Sequence, residues 1–310
     1  MDYFYLILGF TVLLISGDLL VKSGVALSAH MRISTLVIGV TVVSLGTSAP
    51  ELVVSIGAIL KNHPDIAVGN VVGSNISNIA LVLGLTAIII SIPVNKNSVR
   101  FDWPYMMFAS LLFTLFVMNG RLSFIEGAVS LVLLAGFIFF SVRQSRIDLE
   151  KTGHVFSRAG FSVKLSLLLL VISSAGLYFG ASWLVDGAES VAHRFGVSER
   201  VISVTIIAFG TSVPELATSV MAALKKQLDI SIGNIIGSNI FNLLGILGIT
   251  SMIKTIPVSA EMRFDVIWML AISLLLLIFM LPYGRASLGR WKGTCLLVTY
   301  ILYIYIVFKF

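Results

Sequence analysis

The chain has 310 residues, 57% of them hydrophobic and 12% charged, with a formal net charge of +6. A soluble domain carries roughly 25% charged residues, so the charges here are too few to coat a water-facing surface. Basic cytoplasmic loops account for the positive balance without a nucleic-acid partner, and the single cysteine, Cys295, excludes an internal disulfide or a multi-cysteine metal site.

Apolar runs near twenty residues recur along the chain, the length that crosses the hydrocarbon core. They predict ten spans, near 3–29, 35–60, 67–91, 101–118, 122–142, 164–192, 199–224, 231–253, 264–281 and 289–308. The first has no basic leader and no small-residue cleavage pattern, and it reads as a retained helix. Asp18 and Lys22 lie four apart in it and read as a mutually neutralising pair. The longest connection, 143–163, is polar and mixed in charge, with nothing to bury a core of its own. His30, His63, His154 and His193 fall at helix ends or in loops, with no metal-ligand spacing. Asp186 and Glu189 read as solvated acids, and Trp103, Trp183, Trp268 and Trp291 as interfacial or packing aromatics.

Alternate loops carry thirteen Lys and Arg on one side and seven on the other. The richer side is expected to be cytoplasmic. Both termini then lie outside and the 143–163 loop inside, as in a prokaryotic inner or plasma membrane.

A shift of 164 residues aligns the sequence with itself. VIGVTVVSLGTSAPEL at 37–52 falls on VISVTIIAFGTSVPEL at 201–216, and DIAVGNVVGSNISN at 65–78 on DISIGNIIGSNIFN at 229–242. Each half holds five predicted spans. An odd number makes the copies enter the membrane in opposite orientations, the pattern of secondary transporters whose site lies where the repeats meet. The expected fold class is therefore an all-α polytopic membrane protein, ten transmembrane helices in two inverted five-helix repeats. The first repeat is 1–143, the linker 144–163 and the second repeat 164–310.

The repeated motifs carry the chemistry. In GTSAPEL, Pro50 lacks an N–H and its ring clashes with the Gly46 carbonyl, so carbonyls near 44–46 are expected to turn inward. Broken backbone in lipid is tolerated only against protein, water or an ion. Thr47 and Ser48 add hydroxyls and Glu51 a carboxylate; Thr211, Ser212, Pro214 and Glu215 repeat the set. In GNVVGSN and its mate, Asn70, Ser74 and Asn78 form one helical stripe, repeated by Asn234, Ser238 and Asn242. Gly69, Gly73 and Gly84, with Gly233, Gly237 and Gly248, let helices approach closely. The donors are all oxygens, which suit hard cations such as Ca²⁺, Mg²⁺ or Na⁺ and not Zn²⁺ or Cu⁺. Each acid at the bilayer centre costs roughly 2.5–3.5 kcal/mol on insertion scales, so two in register call for a function.

Blander readings stand beside these. The hydroxyls could bond back to their own helices, Asn70 and Asn234 could be interhelical glue, and Asn75 and Asn239, on another face, read as packing or capping.

At these motifs the sequence resembles the cation/Ca²⁺ exchanger superfamily, most closely its prokaryotic Na⁺/Ca²⁺ exchanger branch. The resemblance implies an antiporter, not an enzyme. It exchanges Na⁺ for Ca²⁺ by alternating access, with those ions as substrates, no cofactor, the lipid bilayer as surroundings and no obligatory protein partner. Thr47, Ser48 and Glu51 stand where the family's first-repeat ligands stand, with Ser74 and Asn78 from the next helix. Thr211, Ser212, Glu215, Ser238 and Asn242 match in the second repeat. Ser44 and Ala208 match positions that contribute a backbone carbonyl. Some members, K⁺-dependent ones included, carry Asp where this chain has Asn242, so the resemblance implies two rather than three site carboxylates and leans against K⁺ co-transport. The short central loop lacks the Ca²⁺-sensing domains of some eukaryotic relatives. The rival readings are a Ca²⁺/H⁺ antiporter using the same glutamates, a cation channel and an intramembrane enzyme.

Overall fold

The computed structural model describes residues 2–152, 160–195, 210–281 and 287–309. The chain opens with α1 (Asp2–Met31). A broken helix follows: α2 (Thr35–Ile38), a π-helical turn at Gly39–Val43, α3 (Ser44–Thr47) and α4 (Ala49–Leu60). Next come α5 (Pro64–Ser77), a π turn at Asn78–Leu83 and α6 (Gly84–Ile89), then strand β1 (Ile92–Pro93). A π turn at Ser98–Asp102 leads into α7 (Trp103–Val117), followed by β2 (Arg121–Leu122), α8 (Phe124–Thr152) and α9 (Val163–Arg194). The second half continues with α10 (Val213–Leu224), α11 (Leu228–Ile240), a π turn at Phe241–Ile246 and α12 (Leu247–Ile253). It closes with β3 (Ile256–Pro257), α13 (Met262–Met280), β4 (Ser287–Leu288) and α14 (Arg290–Lys309).

Six of the described helical stretches are long and apolar enough to cross a bilayer, and Thr35–Leu60, bent by 45° at Ser48, makes a seventh. The predicted span 101–118 is helical from 98 to 117, and 289–308 is α14, whose apolar run is flanked by Arg290, Lys292 and Lys309. The span 199–224 is described only from residue 210. One edge differs clearly from expectation. α8 runs ten residues past the predicted end at 142, into the predicted linker. Its extension is built of good helix formers and carries an i,i+4 bond from Gln144 to Asp148 at 2.9 Å.

Burial sorts the helices into centre and periphery. Within their most apolar windows, 64–89 and 228–253 are 78% and 89% buried, against 33% for α1 and 28% for α9. The two middle helices of the repeats thus form the core, and α1 and α9 lie against each other on its outside. One apolar cluster joins α5, α6, α11 and α12 to α7, α13 and α14, and Cys295 packs at its edge. A smaller one joins α1 and α9 to α2 and α10. Two short antiparallel clips tie the halves together: Ile92 opposite Leu288 and Pro93 opposite Ser287 in one, Leu122 opposite Ile256 and Arg121 opposite Pro257 in the other. Ile92 and Ile256 are 164 residues apart, the spacing of the sequence repeat.

Backbones touch where glycine permits. A β-carbon on Gly237 would lie 2.3 Å from the Val40 carbonyl oxygen, and one on Gly233 2.7 Å from that of Leu36. A β-carbon on Gly84 would meet the Gly293 oxygen at 3.1 Å, and one on Gly248 the Gly127 oxygen at 3.2 Å. For Gly69 and Gly73 the repeat-related facing residues, 200 and 204, lie outside the described residues. Asp18 pairs with Lys22 at 2.6 Å as expected, and also with Lys225 at 3.0 Å, which ties α1 to the end of α10.

These contacts predict that Gly237→Ala lowers the thermal midpoint of the purified protein by several degrees, because the α11 backbone must move off Val40. Gly136→Ala, where an added β-carbon meets nothing within 4 Å, is expected to be neutral or slightly stabilising. A thermal scan of both variants in detergent checks the contrast.

Candidate cation site

The site begins at two matched helix starts, the first of them a break within a described span. Ser48 (φ −86°, ψ 5°) ends α3 and caps α4, and Ser212 (φ −90°, ψ 0°) caps α10. Pro50 and Pro214 sit second in the new helices, where a missing N–H costs nothing. Glu51 and Glu215 sit third, at the positive end of the helix dipole. Ser-x-x-Glu at a helix start is the pattern of a capping box. Neither serine makes the capping bond. Ser48 Oγ instead donates to Glu215 Oε1 at 3.2 Å, and the Ser212 hydroxyl is hydrogen-bonded to that of Ser77. The local pattern is diverted into bonds between the halves.

One expectation about oxygens is modified here and another is not reached. The Ser44 carbonyl, expected to face inward, accepts the Ser48 N–H at 2.9 Å and the Thr47 hydroxyl at 3.3 Å. The break falls at Ser48, one turn later, so this carbonyl keeps its helical donor. Ala208 lies outside the described residues.

The second motif packs against the breaks. Asn70 Nδ2 donates to the Glu51 carbonyl at 3.2 Å and to Ser55 Oγ at 3.0 Å. Asn234 Nδ2 donates likewise to Ser219 Oγ at 3.1 Å, while its Oδ1 accepts from Thr47 Oγ1 at 3.1 Å. Both asparagines therefore hold helices together. Asn75 and Asn239, expected to be packing or capping residues on another face, belong to the polar centre. Asn75 Nδ2 donates to the Asn239 carbonyl at 3.2 Å and Asn239 Nδ2 to the Asn75 carbonyl at 3.3 Å. Asn78 Nδ2 donates to Asn239 Oδ1 at 3.1 Å and Asn242 Nδ2 to Asn75 Oδ1 at 3.0 Å. The face they occupy is opposite the other half, which a single-helix reading cannot see. Ser77, Ser55 and Ser219 were likewise not singled out; the identity of Ser55 and Ser219 across the repeat was the available signal.

Thr47, Ser48, Glu51, Ser74, Asn78, Ser212, Glu215, Ser238 and Asn242 are all buried, and Thr211 is half-buried. Thr47 Oγ1 lies 3.4 Å from Ser238 Oγ, and the hydroxyls of Thr47, Ser48 and Ser238 surround the Glu215 carboxylate. Of the oxygens of these site residues, six are buried with no hydrogen-bond partner among the described residues: both of Glu51, Oε2 of Glu215, Ser74 Oγ, Asn78 Oδ1 and Asn242 Oδ1. Five of these six can accept only, unless a glutamate is protonated. No buried Lys, Arg or His is present among the described residues to satisfy them. Buried acceptors left unmatched cost free energy, and carboxylates far more than amides. A hard cation matches this oxygen set.

Six or seven apolar spans among the described residues, around a doubly acidic, oxygen-lined centre, are the architecture of a membrane cation transporter. The chain belongs to the sodium/calcium exchanger family: the family model described as sodium/calcium exchanger protein matches residues 1–143 and 165–309. It is 36% identical to an uncharacterized membrane protein of Methanocaldococcus jannaschii, covering 97% of this chain and 96% of that one. It is 31% identical to the sodium/calcium exchanger MaX1 of Methanosarcina acetivorans, covering 99% and 98%. Among solved structures, it is similar to the sodium-calcium exchanger NCX_Mj soaked with zero Na⁺ and Ca²⁺, with 35% identity, 98% coverage of both chains and a TM-score of 0.84.

The oxygen set predicts stabilisation by the cation it fits. At 100 times its dissociation constant, a ligand binding only the folded state adds about 2.7 kcal/mol. Ca²⁺ is therefore expected to raise the thermal midpoint of the wild-type protein, and to do so far less in Glu51→Gln and Glu215→Gln. Thermal scans with and without Ca²⁺ at constant ionic strength check this.

Proposed function

We propose that the protein is a secondary antiporter that exchanges Na⁺ for Ca²⁺ by alternating access. The observation that carries this reading is the pair of buried glutamates at repeated helix breaks, three of whose four carboxylate oxygens have no partner among the described residues. Thr47, Ser48, Glu51, Ser74 and Asn78 of the first half bind the ions. Thr211, Ser212, Glu215, Ser238 and Asn242 of the second half complete the site, with the carbonyls of Ala208 and, once it gives up the Thr47 hydroxyl, of Ser44. Two ionised glutamates balance one Ca²⁺, or more than one Na⁺ in exchange. The choice of Na⁺ as counter-ion is supported by similarity to MaX1, which is named a sodium/calcium exchanger.

In this reading the chain makes ten spans in two inverted halves, 1–143 and 164–310, joined by 144–163. The two clips between halves and the reciprocal asparagine bonds support a two-fold arrangement. Both termini face outward and the linker faces the cytoplasm. α1 and α9 slide over the core to switch access; they pack against each other outside it and are only 33% and 28% buried. They meet closely at Gly9 and Gly180, where a β-carbon on Gly9 would lie 2.7 Å from the Gly180 carbonyl oxygen. Coupling follows from charge. Crossing with an empty site buries two uncompensated carboxylates, each costing roughly 2.5–3.5 kcal/mol, so only loaded states switch readily.

Radioactive Ca²⁺ uptake into Na⁺-loaded proteoliposomes tests this. Uptake is expected only with an outward Na⁺ gradient, and Glu51→Gln or Glu215→Gln is expected to abolish it while folded protein remains in the membrane. Uptake in K⁺-loaded vesicles driven by an imposed pH gradient alone would assign H⁺ as the counter-ion. Full activity in both glutamine variants would overturn the site.

A further inference from the structure

We propose that Asn75 and Asn239 are positioning residues that set which end of the Asn78 and Asn242 amides faces the transported cation. The inference rests on the exchanger reading above. An amide side chain is nearly symmetric in shape but opposite in polarity at its two ends: Oδ1 attracts a cation, and Nδ2 repels it. Something must fix that polarity at residues 78 and 242.

The fixed point is backbone. The Asn239 carbonyl can only accept, so the Asn75 amide must turn its Nδ2 toward it, at 3.2 Å. The same nitrogen lies 3.8 Å from Met269 Sδ, a second group that accepts. Asn75 Oδ1 must then point the other way, and there it accepts from Asn242 Nδ2 at 3.0 Å. Asn242 has no freedom left, and its Oδ1 is held away from the pair, buried and without a partner among the described residues. The same chain runs in the other half. The Asn75 carbonyl fixes Asn239 at 3.3 Å, with Met106 Sδ at 3.7 Å, and Asn239 Oδ1 holds Asn78 Nδ2 at 3.1 Å. Asn78 Oδ1 is likewise buried and unpartnered. Each half thus sets the polarity of the other half's ligand. All four asparagines are at most 1% exposed, so water does not supply alternative partners.

The test uses the difference between an amide and a carboxylate. Asn75→Leu releases the Asn242 amide, which can then turn its nitrogen to the cation. The apparent Km for Ca²⁺ is expected to rise at least tenfold, with the maximal rate changed less than threefold. Adding Asn242→Asp makes both ends of residue 242 oxygen, so orientation no longer matters, and the double variant is expected to recover most of the lost Ca²⁺ affinity. Asn239→Leu with Asn78→Asp is the corresponding pair in the other half. Uptake is measured in Na⁺-loaded proteoliposomes beside Glu51→Gln. If Glu51→Gln transports normally, the exchanger site itself is wrong. If Glu51→Gln is dead but Asn75→Leu is like wild type, or Asn242→Asp fails to rescue it, the positioning role is overturned alone. Misfolding of both leucine variants would make the four amides structural glue and overturn it as well.

Discussion

Two carboxylates sit in the most buried part of this protein, and no buried basic side chain is present among the described residues to neutralise them. In hydrocarbon the missing counter-charge cannot be water, and a buried acid without a partner is strongly disfavoured. The chain leaves the compensation to something that comes and goes. The glycines at 233 and 237 bring α11 against α2 and the following turn, the breaks at Ser48 and Ser212 aim two helix starts inward, and the asparagines fill the space between. Each of these would be a defect in an ordinary membrane helix. Together they place oxygens in the centre, six of which receive no proton from the described residues.

The repeat was legible because it is written twice. Pro50 and Pro214 announced the breaks, Glu51 and Glu215 the charge, and the i,i+4 spacing of Asn70, Ser74 and Asn78 a polar stripe. A periodic pattern says which residues share a face of one helix. It does not say what that face meets. Spacing alone therefore puts Asn75 on a separate face, although it bonds to its own repeat mate across the interface. The partnership of Asp18 was half legible for the same reason: Lys22 is one turn away in sequence, whereas Lys225 arrives from the other half. The end of α8 is hidden for a different reason, since hydropathy marks where lipid stops and not where a helix stops.

The repeat is less symmetric in structure than in sequence. Ser77 bonds to Ser212, but its mate is Phe241, which offers Ser48 nothing; Ser48 turns to Glu215 instead. Elsewhere, Phe-Asp at 101–102 recurs at 264–265, yet Asp265 accepts from Tyr303 at 2.8 Å while Asp102 Oδ2 has no partner among the described residues. The ring stacked on Phe101 is Phe137, and the ring stacked on Phe264 is Tyr303, so the halves differ at the atom that would bond the acid.

At the centre this asymmetry separates the two glutamates. Glu215 gives one oxygen to Ser48, and its other oxygen has no partner among the described residues, whereas neither oxygen of Glu51 has one. A carboxylate already holding a hydroxyl is oriented before any ion arrives, and it has one oxygen to offer. A carboxylate with two free oxygens can swing, and can bind one ion through both or two ions through one each. Under the proposed exchange, a site that holds a single divalent ion at one moment and several monovalent ions at another needs both properties. A strictly symmetric pair would supply only one of them, and the single substitution of Ser77 by Phe241 across the repeat is enough to break the tie.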